Sequence, residues 1–359
     1  MSNNYTWQEK YYFKIRDAFE SSGYKPYRMR KFEEYSLYAD NRSFLTSEYI
    51  ITFTDTDGKL LALKPDVTLS ILKNTKANEN VTEKLYYKEN VYRLDKHSGE
   101  YKEINQIGLE CIGKLDMLNV IEIIELGLAS LAATGKSYIL DISDMGIINS
   151  LLEYYRVDEL AKTAIFEQMS IKSKDELNKV AAEYGVNAEL TDKLIRLLNA
   201  PSDYDAALKV LKAVSVTESM KEIADKFAII KDVFDNTEYK GRLKLDFSVI
   251  DNTGYYNGVI MQGYVDGASK AVLHGGQYDK LVEKFRKNLS AMGFALYVDE
   301  LRNIQEVKNE FVDVLLIYSG KSNYKEVLRL ARELRENGES VRTDRSEPSG
   351  LLYGQKIIL

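Results

Sequence analysis

Apolar and aromatic positions near the start of the chain recur at helical spacing (Tyr11, Ile15, Ala18, Phe19) and stop before Gly23, which predicts a first helix over residues 7–22. Two β-rich runs follow at 49–53 and 59–63, joined by Asp55-Thr56-Asp57-Gly58, a strong hairpin turn. A helical pattern resumes at 67–74, and strands are predicted again at 85–93 and 104–112 around a polar loop that holds Asp95 and Glu100. Residues 120–134 form an amphipathic pattern and 137–142 a short strand. From 145 to 235, Leu, Ala, Lys and Glu at helical spacing replace the β-branched clusters, which predicts an all-helical insertion. Strand signals return at 243–250, 256–264 and 270–273, and Gly275-Gly276 precedes a helix over 281–285. Residues 312–317, 324–337 and 340–343 then read as strand, helix and strand, a βαβ-like unit. The organisation expected is a core of residues 1–144 and 236–305, a helical insertion at 145–235, and a small α/β unit at 306–359.

Composition narrows the function. With 359 residues, 45% hydrophobic and 29% charged, the chain has room for two or three domains and the make-up of an ordinary globular protein. A net charge of -6 argues against a broad nucleic-acid footprint, because phosphate binding relies on Lys and Arg. Cys111 is the only cysteine, so an intrachain disulfide or a multi-cysteine metal cage is excluded and a reducing compartment fits best. The first residues are polar and no run approaches the roughly 18 apolar residues of a membrane span, so a cytoplasmic location is expected. The two histidines, His97 and His274, give a metal site or a Ser-His-Asp hydrolase little material, and both are expected at the surface or in loops. No metal or cofactor is expected.

Candidate chemistry gathers in five ordered segments: Leu63-Lys64-Pro65-Asp66-Val67-Thr68, the hairpin from Tyr86 to Gly113, Tyr255-Tyr256-Asn257-Gly258, Gly275-Gly276-Gln277-Tyr278-Asp279-Lys280-Leu281, and Gly293-Phe294-Ala295. In these segments the chain resembles the histidyl-tRNA synthetase family of class II synthetases over residues 5–305. The resemblance implies an α+β fold, an antiparallel sheet flanked by helices. It also implies a dimer formed partly through the first helix and Gly23-Tyr24, with Arg30 where the family carries a proline. By the same resemblance Asp66, Thr68, Gln106, Glu110, Tyr255 and Tyr256 match positions that hold the amino group and imidazole of histidine. Carboxylates toward an ammonium and donor or acceptor groups toward an imidazole suit that ligand. Alone, Gln106 and Glu110 would be an ordinary polar face of a strand, being four residues apart. Gly275-Gly276 reads more readily as a tight turn or a close sheet approach than as a phosphate cradle. Tyr86, Tyr87 and Tyr92 would pack the sheet or help form an interface.

The nucleotide half departs from the family. Arg93 matches the arginine that holds the α-phosphate, but Glu100, Asp251 and Glu300 stand where the family places arginines. Charge-assisted hydrogen bonds contribute about 1.5–3 kcal/mol each, so losing three cations removes several kcal/mol of triphosphate binding before repulsion is counted. A synthetase-like chain without these arginines resembles the regulatory subunits of ATP phosphoribosyltransferase. That resemblance implies a non-catalytic chain in a hetero-oligomer with a short-form catalytic subunit, required for its activity and for feedback inhibition by histidine. The incomplete resemblance of residues 306–359 to an anticodon-binding domain points the same way. The alternatives are a divergent histidyl-tRNA synthetase and a synthetase-like protein that binds tRNA or another biosynthetic enzyme.

Overall fold

The computed structural model describes residues 6–45, 49–95, 98–251, 254–285, 288–304 and 311–359. The chain divides into two compact units, Met1–Ile304 and Gln305–Leu359. The first begins with α1 (Trp7–Ser21), whose entry is fixed by a capping box: the Thr6 hydroxyl accepts from the Glu9 N–H, and the Glu9 carboxylate accepts from the Thr6 N–H. Tyr11, Ile15 and Phe19, one face of that helix, are buried. There follow β1 (Lys25–Pro26), β2 (Phe32–Glu34), α2 (Tyr35–Ala39), β3 (Thr52–Thr54), β4 (Leu60–Leu63), α3 (Thr68–Asn74), β5 (Glu83–Leu94), β6 (Tyr101–Gly113), α4 (Met117–Ala132) and β7 (Tyr138–Asp144).

Six helices come next: α5 (Met145–Tyr154), α6 (Glu159–Ser170), α7 (Lys174–Glu183), α8 (Ala188–Leu198), α9 (Tyr204–Val214) and α10 (Glu218–Phe234). The chain then returns through β8 (Leu243–Leu245), β9 (Val259–Val265), β10 (Leu273–Gln277), α11 (Asp279–Phe285) and β11 (Ser290–Tyr297). Residues of the helical block, among them Ile165, Leu211 and Phe227, share one apolar cluster with Leu245 and Phe247 beside the sheet.

The main sheet has eight strands in the order β1-β5-β6-β11-β10-β9-β7-β8. Its interior pairs are antiparallel, as the resemblance implies, but β1 runs parallel to β5 and β8 parallel to β7 at the two edges. Parallel neighbours need a crossover, and the six helices between β7 and β8 supply one. A small antiparallel sheet, β2-β4-β3, lies before α3.

Several expectations change. The strand expected at 243–250 ends at Leu245, because the Asp246 carboxylate accepts from the Ser248 N–H and hydroxyl and turns the chain out of the ladder. Gly275 and Gly276 lie inside β10 rather than in a turn. A Cβ on Gly275 would stand 2.4 Å from the Gly293 carbonyl oxygen, so the close sheet approach is what requires glycine there. Of the two readings offered for the hairpin tyrosines, packing of the sheet holds for Tyr86 and Tyr87, which are both buried. His274 is a partly buried strand residue of β10, not a surface or loop residue, while His97 lies outside the described residues.

The second unit contains β12 (Phe311–Ile317), α12 (Tyr324–Glu336), β13 (Val341–Asp344) and β14 (Leu352–Ile358). All strands are parallel in the order β13-β12-β14, and Val314, Leu316 and Ala331 form its small core. No helix among the described residues is long and apolar enough to cross a membrane.

Candidate functional site

Gln106 and Glu110 are both on β6 and leave the same face of the strand; across the ladder on β11 they meet Tyr297 and Gly293. The missing side chain at Gly293 creates the space for Glu110: a Cβ there would lie 1.9 Å from Glu110 Oε2 and 2.3 Å from the Leu109 carbonyl oxygen. Glu110 is buried, and each carboxyl oxygen has a partner. Thr68 Oγ1 donates to Oε1 at 2.8 Å and the Tyr278 hydroxyl to Oε2 at 2.5 Å. Burial pushes the Glu110 carboxyl from its ordinary 4.5 up to about 8, against the pull of the Tyr278 and Thr68 hydroxyls. At neutral pH this group is therefore mostly protonated.

Asp66 sits just before α3. Its Oδ1 accepts from the Leu69 N–H at 2.9 Å, and its Oδ2 faces Arg93 Nη2 at 3.9 Å. Burial raises the Asp66 carboxyl, with Arg93 the chief opposing influence. Arg93, near the end of β5, donates through Nε to the Pro65 carbonyl at 2.8 Å and through Nη1 to the Tyr297 hydroxyl at 3.4 Å. Asp251 accepts from the Tyr256 N–H at 2.8 Å. Tyr255 packs edge-on against Tyr256 at 4.8 Å between centroids, tilted against Tyr278 at 5.5 Å. Burial raises all three phenols well above their usual range, so they stay neutral hydrogen-bonding groups.

These side chains enclose a cavity of about 120 Å³. All six residues expected around histidine line it: Asp66, Thr68, Gln106, Glu110, Tyr255 and Tyr256. Of the four residues expected at the nucleotide end, Arg93 and Asp251 line it, and Glu100 and Glu300 do not. Those two stand near Lys102, where they add to the raising of its ammonium that Asp95 chiefly causes. Sequence reasoning gave no role in the site to Tyr87, His274, Tyr278 and Tyr297, which also line the cavity. Tyr278 lay within a quoted segment, but its bond to Glu110 spans 168 positions and no spacing rule reveals it. Burial lowers the His274 imidazole, which packs edge-on against Tyr297 at 5.4 Å.

The arrangement suits a small polar molecule with a cationic group for Asp66 and a donor–acceptor ring for the Glu110 end, whose hydroxyl neighbours can donate or accept. It is poorly suited to a triphosphate. Among the described residues lining the cavity Arg93 is the one Lys or Arg, and its guanidinium is already engaged by Pro65, Tyr297 and Asp66. No cluster of three or more His, Cys, Asp or Glu side chains among the described residues could hold a metal ion.

An antiparallel sheet carrying this pocket on its central strands, with the long β5–β6 hairpin beside it, is the class II synthetase fold. The histidyl-tRNA synthetase family profile matches residues 5–301. The ATP phosphoribosyltransferase regulatory subunit of Caldanaerobacter subterraneus subsp. tengcongensis is 31% identical over 340 residues, covering 91% of this chain and 87% of that protein. Among solved structures, an ATP phosphoribosyltransferase regulatory subunit/histidyl-tRNA synthetase from Bacillus halodurans aligns with a TM-score of 0.79 at 21% identity, covering 98% of this chain and 93% of that one. A chain of the ATP phosphoribosyl transferase complex from Thermotoga maritima aligns with a TM-score of 0.64 at 16% identity, covering 82% and 98%; both likenesses show the fold. The chain belongs to the histidyl-tRNA synthetase family and, within it, to the ATP phosphoribosyltransferase regulatory subunits.

Proposed function

We propose that this chain is the non-catalytic regulatory subunit of an ATP phosphoribosyltransferase, acting on a short-form catalytic subunit in the first step of histidine biosynthesis. The partner joins ATP to phosphoribosyl pyrophosphate, and this chain is required for that activity and conveys feedback inhibition by histidine. The observation that carries the reading is the asymmetry of the pocket. Its amino-acid half is assembled and hydrogen-bonded, whereas its nucleotide half offers one arginine already engaged and faces Asp251. The named relatives and the hetero-oligomer among the structural neighbours support the partner.

In this reading histidine occupies the pocket of Asp66, Thr68, Gln106, Glu110, Tyr255 and Tyr256. It biases the complex only through a difference in affinity between its active and inhibited arrangements. Histidine titrated calorimetrically into the purified chain is expected to bind, and Glu110→Gln to weaken it about tenfold or more through a changed hydrogen-bond pattern at a buried site. Histidine inhibition of the complex that is unchanged in Glu110→Gln would remove this pocket from the mechanism. Histidine-dependent ATP–pyrophosphate exchange is expected to be absent; turnover that Arg93→Ala abolishes would instead establish an active synthetase.

A further inference from the structure

A second cavity, about 660 Å³, shares no residue with the first and lies where β7, β8 and β9 meet the C-terminal ends of α6 and α8. Its floor is a row across three strands. Lys244 on β8, Asp141 on β7 and Gln262 on β9 are register partners, so their side chains leave the same face of the sheet. Ile171, Leu197 and Leu198 supply an apolar wall from the helices.

The charges in this cavity are unequally used. Lys172 Nζ reaches Asp246 Oδ2 at 2.6 Å, and Asp246 also accepts from Ser248, so these two are satisfied by each other and by the local turn. Asp141 and Lys244 are neighbours, yet among the described residues neither makes a side-chain hydrogen bond or an ion pair within 4.0 Å. Gln262 accepts from the Tyr264 hydroxyl at 2.9 Å through its carbonyl oxygen, which leaves its amide N–H groups for another acceptor. Burial first, then Asp246, pushes the Asp141 carboxyl up to about 6, with Lys172 and Lys244 opposing. The Asp141 carboxylate is half-buried and lines the cavity, so its acceptor capacity is available to a cationic donor held there.

We infer that this cavity binds a zwitterionic small molecule of the α-amino-acid class, its ammonium on Asp141, its carboxylate on Lys244 and the Gln262 amide, and an apolar side chain against Ile171, Leu197 and Leu198. A simple anion would leave Asp141 without a partner, and a simple cation would leave Lys244 without one. Only a ligand with both signs is matched at both ends. The volume falls within the range of about 300–1,000 Å³ usual for small-molecule sites, which leaves room for a bulky side chain.

The test uses the full chain and L-phenylalanine as probe, followed by calorimetry and ligand-observed NMR. Phenethylamine and 3-phenylpropanoate, each lacking one charge, serve as controls. Binding is expected for L-phenylalanine, with Kd raised about tenfold or more in Asp141→Asn and in Lys244→Met, and for either control ligand. Glu110→Gln should leave it unchanged, which separates this cavity from the histidine pocket. Absence of binding at about 10 mM, equal binding of the two controls by the unsubstituted chain, or unaltered affinity in both folded variants would overturn the inference.

Discussion

Glu110 shows how residue-scale chemistry shapes this protein. The sequence places it on a strand four residues after Gln106, and that much of the site was legible from the period of a strand. What makes it a buried, protonated acid was not legible, because Gly293, Tyr278 and Thr68 come from three distant segments of the chain. The folded carboxyl near 8, against an ordinary 4.5, binds a proton that the unfolded chain has released between those values. Its stabilising contribution is therefore full below about pH 4.5 and lost as pH rises through about 8. Glu110→Gln is expected to remove this slope, so its stability relative to the unsubstituted chain rises between pH 5 and pH 9, by an amount on the order of a few kcal/mol in denaturant titrations. Parallel pH profiles for the two proteins would contradict a buried, protonated Glu110. Gly293→Ala should lower stability by about 1–3 kcal/mol or more and weaken histidine binding, since its Cβ meets a backbone oxygen that cannot rotate away. Thermal unfolding with and without histidine measures both.

At the scale of elements, long periodic segments were legible and short or glycine-rich ones were not. The first helix, the β5–β6 hairpin, α4 and the helical run from α5 to α10 follow from apolar spacing. β11 carries Ser290, Gly293 and Ala295, residues of low strand propensity, and is a strand because β6 and β10 pair with it on both sides. β1, β2 and α2 are too short to set up a period. The connection that aims Asp66 is fixed by an ion pair between Lys64, which leads out of β4 and whose side chain is 3% exposed, and the half-buried Glu89 on β5. Glu89 also accepts from the Met29 N–H at 3.1 Å, so one carboxylate fastens two segments. Lys64→Met leaves that half-buried carboxylate without its cation and is expected to cost about 1–3 kcal/mol, whereas Lys64→Met with Glu89→Leu should cost clearly less. Equal losses in the single and double variants, measured by denaturant unfolding, would show that the pair is not coupled.

For the whole molecule, the pocket lies entirely within the unit Met1–Ile304, so a chain ending at Ile304 is expected to bind histidine within about twofold of the full protein in calorimetry. A much larger loss would give the second unit a part in the site. The class II fold was legible because five motifs occur in order; the proposed departure from synthetase chemistry rests on reading Glu100, Asp251 and Glu300 in place of arginines. Only Asp251 of the three acids faces the pocket; where a loop such as that of Glu100 points is set by tertiary packing that no motif records. Under the proposed function, this chain switches on a partner and carries its inhibition. That role is tested most directly by titrating the full protein into the short-form phosphoribosyltransferase of the same genome and following phosphoribosyl-ATP formation with and without histidine. Activation that saturates at a fixed ratio and is suppressed by histidine is the predicted result; a folded partner whose rate does not respond to this chain would contradict it.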